Sequence, residues 1–198
     1  LNTASVCFLN SSQSFCGKKM SDVYKNLKGI CDITLEDTDL DRAAESDVVF
    51  CSLPHGTSME VVEQLYKKGA RVIDLSGDFR YNDHKVYEKW YGAPHAAPEL
   101  LKESVYGLPE IHREEISKTR LVANPGCYTT CSILGLAPVV KSGYANVKSI
   151  IIDAKSGVSG AGRSSSLDYS FCECDESMKA YKLTNHRHTS EIEQEIGL

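Results

Sequence analysis

Apolar positions along the chain fall into two regimes, short continuous runs and helically spaced sets. Continuous runs recur at residues 5–10, 31–35, 47–53, 71–75, 120–123 and 147–154. Runs of this kind fit strands covered on both faces. Between the third and fourth, Met59, Val62, Leu65 and Tyr66 recur at helical spacing, Thr57 and Glu60 have the spacing of a capping box, and Gly69 ends the pattern. Strand, helix, strand over so short a span predicts a βαβ unit, hence a parallel sheet with ligands at the carboxyl ends of its strands. Residues 80–120 are more mixed, with two prolines in APHAAP (93–98) and a short helical pattern over 113–118, and read as an extended crossover. Over 128–140 a helix presents Ile133, Leu134, Leu136 and Ala137 on an apolar side, and Pro138 marks its last turns or a kink. A last helix is expected from Ser190, where Ser190 and Glu193 repeat the capping-box spacing, with nothing after it to pack against. After Gly143 the 147–154 strand leads into KSGVSGAGR (155–163) and then Ser-rich sequence, so a second domain is expected to begin near Cys127. The expected architecture is an α/β parallel-sheet domain over residues 1–126 and an α+β domain over 127–198.

Composition narrows the partners. The chain has 198 residues, 41% hydrophobic and 25% charged, with a net charge of −5. That is an ordinary globular composition, and its charge opposes a surface built to neutralise nucleic-acid phosphates or anionic lipid. No apolar run approaches the roughly 20 residues of a spanning helix, and no basic segment followed by an apolar core opens the chain. A cytosolic or organellar setting and a small-molecule or protein partner are expected. The eight cysteines are scattered through apolar runs rather than arranged as a disulfide scaffold, which implies a reducing environment. Cys7, Cys31 and Cys51 read as small hydrophobes.

The candidate chemistry begins at NPGCYTT (124–130). A strand, a tight Pro-Gly turn and a helix start place Cys127 where free helix N–H groups favour a thiolate, as at an exposed nucleophile's elbow. Simple space-filling beside Cys131 is the equal alternative, and Cys131, a turn on, reads as core. A nucleophilic thiol needs a proton partner. His188 precedes the last helix, where neutral imidazole is favoured, with a solvated basic loop as the open alternative, and His186 reads as part of such a loop. Cys172-x-Cys174 with His186 and His188 matches no common zinc spacing, so no metal site is expected. Arg80, closing DLSGDFR (74–80), is placed to bind phosphate or carboxylate bidentately or to pair with Asp78 on the surface. Ser156 and Gly157 open a Gly-rich stretch that lets backbone approach a flat or anionic ligand, or serves as a flexible loop.

Taken in order, DLSGDFR, VYGLPE (105–110), NPGCYTT, SGVSGAGR (156–163) and HRHTSEIEQEIG (186–197) closely resemble the N-acetyl-gamma-glutamyl-phosphate reductases, relatives of aspartate-semialdehyde dehydrogenase. The resemblance runs through essentially the whole chain. It implies a Rossmann-like NADP domain followed by a catalytic and oligomerisation domain, and an enzyme of arginine biosynthesis. In such an enzyme Cys127 attacks the acyl phosphate, phosphate leaves, NADPH reduces the thioester, and aldehyde is released. It implies His188 as general acid and base, and Arg80, Asn124, His186 and Arg187 as substrate-binding residues. It also implies a homo-oligomer, located in the cytoplasm or, in a eukaryote, in a mitochondrion or plastid.

Two departures from the family pattern stand out. Its first strand and Gly-rich pyrophosphate turn have no counterpart here, and its members continue well past the helix at Ser190, so both domains are expected to be incomplete. Where a NAD site carries an acidic residue this chain has Asn10, Ser11 and Ser12 with Lys18 and Lys19 nearby, a set suited to a 2′-phosphate. Ser52, Pro54 and His55 follow another strand end and extend the expected cofactor contacts. Rival readings are the semialdehyde dehydrogenase chemistry on another acyl phosphate, a Cys-His hydrolase, and a catalytically inactive binding module.

Overall fold

The computed structural model describes residues 4–163 and 165–197. Among the described residues six short strands form: β1 (Leu9–Asn10), β2 (Leu35–Glu36), β3 (Val49–Cys51), β4 (Val72–Asp74), β5 (Ser104–Tyr106) and β6 (Leu121–Ala123). All are paired parallel, β1 with β2 in one small sheet and β3-β4-β6-β5 in another. Among the same residues eight α-helices connect or flank them: α1 (Met20–Val23), α2 (Leu40–Ala44), α3 (Thr57–Lys67), α4 (His84–Tyr91), α5 (Pro109–Lys118), α6 (Cys127–Lys141), α7 (Phe171–Cys174) and α8 (His188–Ile196).

The helix expected between β3 and β4 is present, and it turns Ser58, Met59, Val62 and Leu65 inward. Met59, Val62 and Leu65 join Val72, Phe79, Tyr81, Tyr87 and Leu121 in the larger core. Its start differs from the capping-box reading. Gly56 occupies the N-cap, its N–H donating to Asp78 at 2.8 Å, while the Ser58 hydroxyl donates to buried Asp74 at 2.6 Å. The mixed segment contains α4 and β5 as well as α5, which begins at Pro109 and kinks at His112. Strand β5 is three residues long and pairs on one side with β6, so its period-two signal is too short to stand out.

A second core joins Tyr106, Leu108, Ile133 and Ala137 to Ile192 and Ile196. Helix α8 thus packs on elements that precede it, α6 and β5. It starts at His188, not Ser190, and the Ser190 hydroxyl donates back to the Arg187 carbonyl at 3.0 Å instead of capping. Pro138 lies inside α6, which runs on to Lys141. The strand expected over 147–154 is absent. A single 3-10 turn spans Val147–Ser149, and Ile151 is 92% exposed. An apolar run becomes a strand only with a ladder to join, and among the described residues none flanks this one.

Leu121 is fully buried at the centre of the four-stranded sheet. Leu121→Ala is expected to destabilise the chain by about 2–5 kcal/mol through lost burial and a cavity. Urea unfolding should show a lowered midpoint at unchanged slope.

Candidate functional site

The carboxyl ends of β3, β4 and β6 open on one side of the sheet, where a parallel α/β fold places its ligands. Asn124 extends β6, its N–H donating to the Asp74 carbonyl at 2.8 Å. Gly126 then caps α6 in extended conformation, and Cys127 is the first helical residue, with an exposed thiol. The Gly126 carbonyl accepts from the Thr129 and Thr130 hydroxyls at 2.7 and 2.8 Å, which fixes the first turn. A Cβ on Gly126 would fall on the His188 imidazole and lie 3.2 Å from Arg80 Nη1. Glycine is required here by close approach, because three separated motifs meet at its α-carbon.

His188 is the first residue of α8, its backbone N–H donating to His186 Nδ1 at 3.1 Å. Burial, reinforced by His186, Arg80, Arg187 and Lys182, lowers its pKa to about 4. Its Nδ1 is buried without a partner. At neutral pH this imidazole is therefore an uncharged base against the turn that carries the thiol. His186 is half-buried rather than solvated, its ring edge-on to Tyr128 and Tyr181 at 5.5 and 5.7 Å, and burial lowers its pKa also. The Tyr181 hydroxyl donates to that of Tyr128 at 3.0 Å, enclosing the imidazole pair.

Arg80 is 6% exposed and does not pair with Asp78. Its Nη1 donates to Glu191 at 3.2 Å and its Nη2 to the Leu75 carbonyl at 3.1 Å, while Nε is buried without a partner. Glu191 is fully buried and also accepts from the Tyr106 hydroxyl at 3.1 Å. Burial raises its pKa, and Arg80 opposes that shift. Asp78 instead accepts from Tyr87 at 3.0 Å. Glu191 escaped sequence reasoning although a signal existed, since His188 and Glu191 are spaced to share one helix face. Tyr106, Tyr128 and Tyr181 carried no such signal. Arg187 stacks its guanidinium on Tyr91 at 4.6 Å and so holds the HRH turn to α4. Cys131, expected in the core, is exposed one turn beyond Cys127; of Cys7, Cys31 and Cys51 only the last is buried.

The expected cofactor residues divide. Ser11, Ser12 and Ser52 line one cleft of about 320 Å³ together with Asn10, Phe15, Tyr24 and Leu35, and no carboxylate is in its lining. Arg163 stacks on Tyr24 at 4.5 Å. Hydroxyls, an aromatic face and a guanidinium suit a nucleotide. Lys18 donates to the Ser14 carbonyl at 2.9 Å and lies over the Phe15 ring at 5.4 Å. Pro54 is exposed, and His55 Nδ1 accepts from the Gly77 N–H at 2.9 Å, so His55 shapes the β4 turn. Ser156 and Gly157 are exposed, with Ser156 donating to Gly157. Among the described residues no three His, Cys, Asp or Glu side chains are grouped to hold a metal, and no helix is long and apolar enough to cross a membrane.

Residues 2–119 match a family model described as the NAD binding domain of semialdehyde dehydrogenase, and residues 127–198 match one described as the dimerisation domain. A protein named N-acetyl-gamma-glutamyl-phosphate reductase from Acetivibrio thermocellus is 57% identical over 188 residues, which is 94% of this chain and 54% of that protein. One of the same name from Syntrophobacter fumaroxidans is 54% identical over 182 residues, covering 91% and 53%. The chain thus spans about half the length of the curated relatives it matches. Among solved structures, aspartate semialdehyde dehydrogenase II from Vibrio cholerae aligns with a TM-score of 0.47 at 19% identity, over 68% of this chain and 37% of that one.

Two outcomes follow from the buried groups. Glu191→Ala leaves Arg80 buried and unpaired and is expected to cost about 3–5 kcal/mol, whereas replacing both partners with apolar residues costs less; a double-mutant cycle of unfolding free energies measures the difference. As pH falls from 6.5 toward 4, the unfolded chain protonates position 188 while the folded chain resists, so His188 lowers stability across that window. A His188→Asn variant should lose less stability than the parent between those two pH values in paired urea titrations.

Proposed function

The chain belongs to the semialdehyde dehydrogenase family, and on that premise we propose that it carries the nucleophile and proton partner of an acyl-phosphate reductase. The substrate we assign is N-acetyl-L-glutamyl 5-phosphate and the product N-acetyl-L-glutamate 5-semialdehyde, as in arginine biosynthesis. The observation that carries the reading is the His188 imidazole against Gly126, the residue that presents exposed Cys127 at the start of α6.

In this reading uncharged His188 takes the Cys127 proton as sulfur attacks the acyl carbon. The C–S bond forms, the bond from carbon to phosphate oxygen breaks, and inorganic phosphate leaves. A thiolate suits both halves of the reaction, since it attacks readily and leaves readily. Free N–H groups of the first α6 turn face charge developing at the acyl oxygen. Arg80, with its unpartnered Nε, and Asn124 recognise the anionic substrate, and His186 lines the same pocket. Arg187 holds the turn that carries both histidines. Ser11, Ser12 and Ser52 would hold a nicotinamide dinucleotide, which would supply the hydride that reduces the thioester; the cleft lining without a carboxylate favours NADP. As the reduced adduct collapses, the carbonyl reforms, the C–S bond breaks, and protonated His188 returns its proton to the departing Cys127 sulfur while aldehyde leaves. Residues 1–126 form the cofactor domain and 127–198 the catalytic and dimerisation domain of a cytoplasmic homo-oligomer in this reading.

Acylation tests it without cofactor. Mixed with N-acetyl-L-glutamyl 5-phosphate, the chain should release phosphate and gain a hydroxylamine-labile acyl group on Cys127, detected by mass spectrometry of the 121–141 tryptic peptide. Cys127→Ser should abolish both. Acylation by aspartyl phosphate instead would reassign the substrate, and absence of acylation by either would overturn the reading.

A further inference from the structure

We propose that Cys131 is a resolving thiol for Cys127, so that peroxide oxidation of the nucleophile ends in a reversible Cys127–Cys131 disulfide. Both thiols are free and exposed, and they lie four residues apart on α6. That spacing puts them on one helix face with Cβ atoms about 5–6 Å apart. A disulfide needs about 3.5–4.5 Å, so the first turn must close by roughly 1–2 Å. The position of Cys127 makes this feasible. As the first helical residue its own N–H has no intrahelical acceptor. The Thr130 N–H and the Thr129 and Thr130 hydroxyls all converge on the Gly126 carbonyl, so the turn is anchored one residue before the thiol that has to move.

The chemistry balances with a hydroperoxide as oxidant. The Cys127 thiolate attacks one peroxide oxygen, the O–O bond breaks, and protonation gives Cys127 sulfenic acid and water or alcohol. The Cys131 thiolate then attacks the Cys127 sulfur, the S–O bond breaks, hydroxide takes up the proton as water, and the S–S bond forms. Without Cys131 the sulfenic acid proceeds to sulfinic and sulfonic acids, which a thiol reductant does not reverse. The proposal deepens the nucleophile reading and rests on it only in requiring a reactive Cys127 thiol.

No trypsin site separates Cys127 from Cys131, so both lie in the 121–141 peptide. Hydrogen peroxide treatment of the full chain should make that peptide two hydrogens lighter, reversibly with dithiothreitol. The Cys131→Ser and Cys131→Ala variants should instead gain two or three oxygens at Cys127 irreversibly. Iodoacetamide labelling of untreated protein reports Cys127 reactivity separately. If Cys127 alkylates but the parent gains oxygens as the variants do, the resolving role is overturned and the nucleophile stands. If Cys127 neither alkylates nor oxidises, both fall.

Discussion

The buried pair of Arg80 and Glu191 is the constraint on which the rest of the site depends. Arg80 follows β4 and Glu191 belongs to α8, so their contact ties the sheet's carboxyl edge to the helix that begins with His188. Burying two charges costs several kcal/mol each before their attraction returns any of it, so the pair is poor evidence for stability alone. Its value lies in position. Around it Gln194 accepts from the Asn82 N–H and donates to the Arg80 carbonyl, and the Ser190 and Tyr81 hydroxyls lie 3.0 Å apart. These contacts fix both the translation and the rotation of α8.

Beneath that edge, polar groups are satisfied one by one. Asp74, fully buried, accepts from Ser58 and from both the hydroxyl and the N–H of Ser76, and its pKa is still raised because burial outweighs those bonds. His95 is held neutral by burial; its Nε2 donates to the Asp78 carbonyl and its Nδ1 accepts from the Ala97 N–H. Tyr87 and Tyr91 stack at 4.4 Å, and Arg187 covers Tyr91. A turn lined this way has few alternatives to adopt, because any movement strands a buried polar group.

What the sequence disclosed follows from the range of the interactions concerned. The α3 periodicity, the parallel strands and the strand-turn-helix around Cys127 are local, and residue spacing carries them. The meeting of Gly126, Arg80 and His188 is not local, and only the order of the five motifs hinted at it. Capping patterns misled at Thr57, where Gly56 takes the N-cap and Thr57 is already helical, and at Ser190, whose hydroxyl is engaged by the Arg187 carbonyl and Tyr81. Apolarity misled at 147–154 and at Cys131 for a related reason. A hydrophobic residue is buried only if another element covers it, and spacing along one segment does not reveal whether that element is there.

The same dependence governs the chemistry. Cys127 is presented by β6 and α6, whereas His188, its proposed proton partner, arrives on α8, which is held at the turn by Glu191, Ser190 and Gln194. Opening the α8 contact would return His188 to water, where its pKa moves back toward 6.5 and the uncharged base is no longer guaranteed. The thiol would remain exposed, but without a neighbour to accept its proton. In the proposed reaction the nucleophile would therefore be a property of two packed elements rather than of the NPGCYTT stretch, and the bare glycine between them sets how closely they approach.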